Sequence, residues 1–397
     1  MIQLKNVAHY VTDKIDVSQL NVSEYITTDN MLPNRGGVVD CENLPQATRV
    51  TRYAPGDTLV SNIRPYFKKI WYADRSSGCS NDVIVFRPTN ENWHSKFLYY
   101  VLSQDSFFDY MMAGANGTKM PRGNKKTIPD FMVPDFDLEK QTKISDTLSA
   151  YDNLIEYNQK QIKLLEEAAQ RLYKEWFIDL RFPGYEDTPI VDDVPEGWHR
   201  CTFGDIDYTL ESGSRPKGGI DASLKNGVPS IGAENVIGLG RYNYSSEKLV
   251  TRDFFSKMKR GKLKDRDILI YKDGAYIGRT SLFQDGFPYI EASVNEHVFL
   301  LHSNEELLQY YLFFTLYQQE YYLKMQKLNK NAAQPGINQT TMASLPLLIP
   351  TEQLLNGFDR FTVPIMHRIF GLAKQNRNLE LARYRLLPKL MNGEIEV

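Results

Sequence analysis

The stretch Ile144–Trp176, ISDTLSAYDNLIEYNQKQIKLLEEAAQRLYKEW, constrains the fold more than any other part of the chain. Its residues Ile144, Leu148, Tyr151, Ile155, Ile162, Leu165, Ala169, Leu172 and Trp176 follow steps of four and three, the seam of a coiled coil. A helix of about nine turns with one apolar stripe must bury that stripe against a partner. The partner lies further along the same chain. Displaced by 214 positions, the seam reads Phe358, Thr362, Ile365, Ile369, Leu372, Asn376, Leu379, Arg383, Leu386 and Leu390. The ends agree too, RLYKEWF from Arg171 being answered by RLLPKLM from Arg385.

Polar seam positions suggest how the two copies pair. If the helices run antiparallel, with Ile144 opposite Leu390 and Trp176 opposite Phe358, then Asn158 falls opposite Asn376. A buried asparagine alone leaves amide groups unpaired, at roughly 1–3 kcal/mol, whereas two facing asparagines satisfy each other and fix the register. The alternative is that both face solvent at a loose seam. Pro364 removes a backbone bond, so the second helix is expected to start or kink there, with Thr362 as a candidate cap.

Each strut follows a segment of different character. Short β-type runs such as TLVSNI, DVIVFR, DILIYK and EHVFLL alternate with Gly, Pro, Asn and Asp turns. The two segments echo one another: YITTDNM (Tyr25–Met31) resembles SIGAENV (Ser230–Val236), and GDTLVSNIR from Gly56 resembles DRDILIYKD from Asp265. The expected organisation is α+β with an internal pseudo-twofold repeat. Mixed α/β domains occupy 1–136 and 197–350, a first helix spans 137–180 with Asp137 as its cap, and a second helix with a tail spans 351–397. The Pro-, Gly- and Asp-rich stretch 181–196 reads as a linker.

The order and duplication of these motifs resemble the specificity subunits of type I restriction-modification systems. The resemblance is carried by DNMLPNRGG (Asp29–Gly37), GDTLVSNIRPYFKKIW (Gly56–Trp71), LYKEWF before PEGW at Pro195, SIGAEN (Ser230–Asn235), GINQTTMASLPLLIP from Gly336 and the tail LLPKLMNGEIEV. It implies two target recognition domains, each reading one half of a split double-stranded DNA site. It further implies an antiparallel helix pair that acts as spacer and as docking surface for two modification (methyltransferase) subunits, with restriction (endonuclease/translocase) subunits in the full complex. S-adenosylmethionine would belong to the modification subunit, and this chain would carry no cofactor. The first half lacks a PEGW, beginning instead with MIQLKNV. With about 1.5 Å per helical residue and 3.4 Å per base pair, helix length is expected to act as a ruler for the unread gap.

Candidate DNA contacts lie in turn-rich basic loops. They are Lys119, Arg122, Lys125 and Lys126 in GANGTKMPRGNKKT, Arg215 and Lys217 in SRPKGG, and Lys330, Asn331 and Gln334 in KLNKNAAQPGINQ. Gly- and Asn-rich loops can approach phosphates closely, and Asn, Gln and Arg can read base edges. The matched pairs Asp29–Asn30 and Glu234–Asn235 suit cytosine and adenine edges, or equally the stabilisation of a turn. Arg64 and Arg279 follow matched strands and are candidate groove residues or ion-pair partners.

The rest of the sequence argues against a stand-alone enzyme. There is no phosphate-binding G-x-x-x-x-G-K-[ST] loop, and the six histidines have no metal-ligand spacing. Cys41, Cys79 and Cys201 are odd in number and far apart, so no disulfide framework is expected, and a cytoplasmic setting without membrane association fits. The net charge of −2 gives no bulk attraction for a polyanion, so any DNA contact must be local. A coiled-coil scaffold or protein-binding adaptor without DNA recognition is the alternative function.

Overall fold

The computed structural model describes residues 1–330 and 336–397. The chain divides into two compact units, one formed by 1–153 with 379–397 and the other by 154–378. Among the described residues, no helix is long and apolar enough to cross a membrane.

In the first unit a four-stranded antiparallel sheet runs in the order Ala8–Tyr10, Val83–Pro88, Thr58–Ser61, Ile70–Tyr72. Beside it lies a three-stranded sheet of Lys14–Asp16, Arg49–Tyr53 and Ser77–Cys79. Helices Ser95–Leu102 and Asp105–Ala113 bury Phe97, Val101, Phe107 and Met111 in one cluster with Val60, Ile84 and Phe86 of the sheet. The same cluster takes in Ile144 and Leu148 of one long helix and Leu387, Leu390 and Met391 of the other, so this part of the helix pair belongs to the core.

The second unit repeats the plan. Its four-stranded sheet is ordered Tyr208–Ser212, Val298–Ser303, Ile268–Tyr271, Thr280–Leu282, and its three-stranded sheet holds Leu249–Val250, Val228–Ile231 and Ser293–Val294. Helix Leu308–Tyr317 is buried on every face from Leu308 to Leu316, which explains why its sequence is apolar without periodicity. The repeat reaches the amino terminus despite the missing PEGW. Ile2–Gln3 pairs with Met132–Val133 as His199–Thr202 pairs with Pro346–Ile349. The next backbone N–H is also matched, Leu4 donating to the Phe131 carbonyl at 2.8 Å and Phe203 to that of Leu345 at 3.0 Å.

The first long helix spans Leu138–Tyr173 and closes in a wider π turn, Lys174–Ile178. Asp137 caps it, its carboxylate accepting from the Lys140 N–H at 2.8 Å. The second long helix spans Glu352–Met391 without a break. The expectation that it would start or kink at Pro364 is therefore wrong, and Thr362 is no cap but a fully buried interior residue. Pro364 sits on the exposed side, where the Arg360 carbonyl that loses its intrahelical partner can turn to water. Phe358, Met366 and Ile369 bury the opposite side.

Both helices run antiparallel within each unit. In the second unit Trp176 packs against Phe358 and Phe361, and the Arg368 guanidinium donates to Gln161 at 3.3 Å. Asn158, 2% exposed, donates through Nδ2 to Asn376 Oδ1 at 2.8 Å and to Gln375 Oε1 at 3.1 Å, while Asn376 Nδ2 donates to the Ile155 carbonyl at 3.4 Å. In the first unit the polar seam residue Arg383 pairs with Asp152, which also accepts from the Tyr100 hydroxyl at 2.5 Å. Segment 181–196 is more ordered than a free linker. Phe182 packs on Trp198, which packs on Phe177, and Ile190–Val191 forms a hairpin with Val194–Pro195 across Asp192 and Asp193, both at positive φ.

Candidate nucleic-acid interface

Part of the predicted set lies at one end of a four-stranded sheet, where loops leave the central strands: Arg64 and the loop with Lys119, Arg122, Lys125 and Lys126 in the first unit, Arg215 and Arg279 in the second. In the first unit the loop after Thr58–Ser61 meets the basic loop 116–126. Ile63 bridges to Arg122, the Arg64 N–H donates to the Pro121 carbonyl at 2.7 Å, and the Gly123 N–H donates to the Asn62 carbonyl at 3.1 Å. Three of the expected cations are thereby brought together. Arg64 is exposed, Arg122 faces Asp82 at 3.5 Å, and Lys125 donates to the Asn81 carbonyl at 3.1 Å, a contact that leaves its charge uncompensated. Lys119 and Lys126 are exposed on the same loop and have no carboxylate partner among the described residues.

In the second unit the matching place is more nearly neutral. Arg215 is tied to Glu296 in an ion pair, and His297 bonds to Asp273 on the loop after Ile268–Tyr271. Burial is the largest influence on the Glu296 carboxyl and pushes it up, but the hydrogen bond and charge of Arg215, together with a backbone hydrogen bond, outweigh it and hold the group below its ordinary value. Arg279 lies over the Tyr276 ring with its guanidinium 4.0 Å from the centroid, and Lys217 is exposed. Lys330 is the last residue of helix Gln319–Lys330, and Asn331 and Gln334 lie outside the described residues.

The Asp–Asn and Glu–Asn echoes have a structural answer for their asparagines. Asn30 accepts from the Thr27 N–H at 2.7 Å and donates to the Val39 carbonyl at 2.8 Å. Asn235 accepts from the Gly232 N–H at 3.2 Å and donates to the Asn243 carbonyl at 3.0 Å. Both are buried, so the two amides are spent on equivalent turns and are not offered to base edges. The acids before them are exposed, Asp29 without an ion pair among the described residues and Glu234 paired with Lys248 at 2.7 Å.

One matched feature escaped the sequence reading. Asp57 and Asp267 each stand immediately before a central strand and are almost fully buried, at 1% and 2% exposure. Each accepts from a backbone N–H three residues earlier, Ala54 at 2.8 Å and Lys264 at 2.7 Å. Each also meets a cationic or titratable side chain from the neighbouring strand, Arg87 in one unit and His302 in the other. The signal was present, since Asp57 in GDTLV and Asp267 in RDILI open the echoed strands.

The chain is thus a duplicated unit of mixed sheets and helices, with an antiparallel helix pair contributing to both cores. Comparison with known proteins agrees. The family described as "Type I restriction modification DNA specificity domain" matches the chain twice, over residues 4–167 and 195–361, and the chain belongs to that family. It is 26% identical to the type I restriction enzyme MjaIX specificity subunit of Methanocaldococcus jannaschii, over 76% of this chain and 69% of that one. With the HindI specificity subunit of Haemophilus influenzae it shares 21% identity over 99% and 98% of the two chains. The crystal structure of a type I restriction-modification system S subunit from M. genitalium has the same fold, with a TM-score of 0.58 at 16% identity over 98% of this chain and 95% of that one.

Proposed function

We propose that this chain is the DNA sequence-recognition subunit of a type I restriction-modification complex and reads a bipartite target with an unread gap. Each unit reads one half-site through the loops at the end of its four-stranded sheet. The helix pair docks two modification subunits, and restriction subunits complete the assembly in the cytoplasm. The chain is not itself an enzyme: methyl transfer, with its S-adenosylmethionine, and strand cleavage belong to the partner subunits. The observation that carries this reading is the duplication itself, two units whose four-stranded sheets have the same strand order, with basic or polar loops at the same end of each. Phosphate contact from Arg64, Lys119, Arg122, Lys125 and Lys126 would make affinity steeply salt-dependent.

The test uses the full chain assembled with its modification subunits. Inserting one helical turn of four residues near Gln161, with a matching insertion in the second long helix, adds about 6 Å of helix. Since DNA rises about 3.4 Å per base pair, the unread gap is expected to lengthen by about two base pairs while both half-site sequences stay the same. An unchanged gap in a folded, active complex would overturn helix length as the determinant of spacing.

A further inference from the structure

The hairpins Thr58–Ser61 with Ile70–Tyr72 and Ile268–Tyr271 with Thr280–Leu282 occupy the same place in their two sheets. Their loops share little sequence, SNIRPYFKK at Ser61–Lys69 against YKDGAYIGR at Tyr271–Arg279, and differ in their internal turns, yet they agree in length and closure. Each has nine residues, and in each the first N–H donates to the last carbonyl, Ser61 to Lys69 at 3.0 Å and Tyr271 to Arg279 at 2.8 Å. The second carbonyl in each, that of Asn62 or Lys272, accepts a backbone N–H from the segment that leads toward Met132–Val133 or Pro346–Ile349, Gly123 at 3.1 Å or Ile337 at 2.9 Å. The backbone takes positive φ at the fourth and eighth places in both: Arg64 at 49° and Lys68 at 51°, Gly274 at 123° and Gly278 at 86°. Side chains with a Cβ resist that conformation, so the first unit holds the shape against its own residue preferences.

The sixth residue of each loop is a tyrosine, and each ring is held out of the core: Tyr66 is 46% exposed and Tyr276 is 50% exposed. Single exposed rings are ordinary on protein surfaces, but the same ring at the same place in two loops of otherwise different sequence is a recurring feature of the fold. The ninth residue is a cation in both, Lys69 with its Nζ 5.8 Å from the Phe67 ring and Arg279 with its guanidinium 4.0 Å from the Tyr276 ring. Lys69 is itself held by the Thr28 carbonyl, at 2.5 Å, but Tyr66 stands two residues from Arg64 and Tyr276 beneath Arg279, both assigned above to DNA, where phosphate contacts position a reader and apolar contacts to base edges distinguish sequence.

We infer that Tyr66 and Tyr276 are specificity-determining residues, one for each half-site, whose rings pack against base edges while the neighbouring cations hold phosphates. The inference rests on the proposed DNA-reading role. It is tested with the full chain, assembled with its modification subunits, binding a duplex library randomised across both half-sites. Tyr66→Ala should relax discrimination by about tenfold at one or two adjacent positions of one half-site, and Tyr276→Ala should do the same in the other. The dependence of affinity on salt should keep the wild-type slope, because no phosphate contact is removed. Tyr66→Phe and Tyr276→Phe, which keep the ring, should retain most of the discrimination. If wild type reads a bipartite site and both alanine variants read it unchanged, the inference falls and the proposed function stands. A uniform loss of affinity with a shallower salt slope would also overturn it, by making the tyrosines phosphate contacts. If wild type shows no sequence preference, the proposed function fails and the inference with it.

Discussion

Two buried aspartates in equivalent positions, Asp57 and Asp267, are held by different partners. Arg87 holds Asp57 with two parallel hydrogen bonds, Nε to Oδ1 at 2.7 Å and a terminal nitrogen to Oδ2 at 2.8 Å. His302 holds Asp267 through Nδ1 alone, at 2.9 Å. A guanidinium is permanently charged and matches both carboxylate oxygens, whereas an imidazole offers one nitrogen and carries charge only when protonated. The slot before the central strand thus demands an acid to close a turn, and leaves the choice of partner to the neighbouring strand. The same freedom appears in the hairpin loops, where Arg64 and Lys68 in one unit stand where Gly274 and Gly278 stand in the other. The duplicated fold fixes backbone shape more tightly than it fixes the residues that fill it.

The sharpest way to break this comparison is to remove each partner. Arg87→Ala leaves a nearly fully buried carboxylate without its cation and should destabilise the first unit by roughly 3 kcal/mol. His302→Ala should cost the second unit less, roughly 1–2 kcal/mol, because one hydrogen bond is lost. Urea denaturation followed by fluorescence separates the two, since Trp71 and Trp93 report on the first unit and Trp176 and Trp198 on the second. Equal losses would show that the two pairs are energetically alike.

The asparagine layer gives the next largest effect. Asn158→Leu leaves the buried Asn376 Oδ1 without its donor and should cost roughly 1–3 kcal/mol, while the double change Asn158→Leu with Asn376→Leu should recover most of that loss. A thermal-melt double-mutant cycle reads the coupling directly. Additive losses would mean that the two amides act independently.

A smaller effect depends on pH and distinguishes the second unit from the first. Burial pushes the Asp359 carboxyl up to about 6, with Arg266 pulling it partly back, and one of its oxygens has no hydrogen-bond partner among the described residues. Burial likewise raises Asp267, against the hydrogen bond from His302. A raised value means the folded state takes up a proton more readily than the unfolded chain. The stabilisation is complete below the ordinary carboxylate value and is lost as pH rises through the folded one. Asp359→Asn should therefore be the more stable protein at pH 8, by roughly 1 kcal/mol after allowing for its partial solvent exposure, and should match wild type near pH 4. Melting curves across that range check the sign.

The smallest effect concerns the loop shape. Arg64→Gly places glycine where the second unit already has Gly274, and should leave the fold unchanged or stabilise it by up to about 1 kcal/mol. DNA affinity of the assembled complex should nonetheless fall, with a shallower salt dependence, because an exposed cation is removed. Unchanged affinity would take Arg64 out of the interface.

The long helices were legible because burial on one face writes a period into the sequence. Every seam residue from Ile144 to Trp176, and every counterpart from Phe358 to Leu390, is buried or half-buried. Pro364 misled because its cost depends on which face it occupies, and a solvent-facing proline leaves the buried stripe intact. The recognition units were only partly legible. Their echoed strands stood out, but loops of unequal length shift the spacing between equivalent residues from one element to the next. Sequence therefore matched Arg64 with Arg279 as residues following similar strands. In the structure Arg64 corresponds to Gly274, and Arg279 to Lys69. Asn30 and Asn235 were correctly matched to each other, but chemistry alone left base reading and turn closure equally open until their burial decided between them.

The central claim is that each unit reads its own half of a divided target. The most direct measurement is a map of methylated adenines across the genome of a cell expressing this chain with its modification subunits. A motif of two short defined sequences separated by a gap of fixed length and free sequence is the predicted result. A single continuous motif, or methylation without sequence preference, would contradict it.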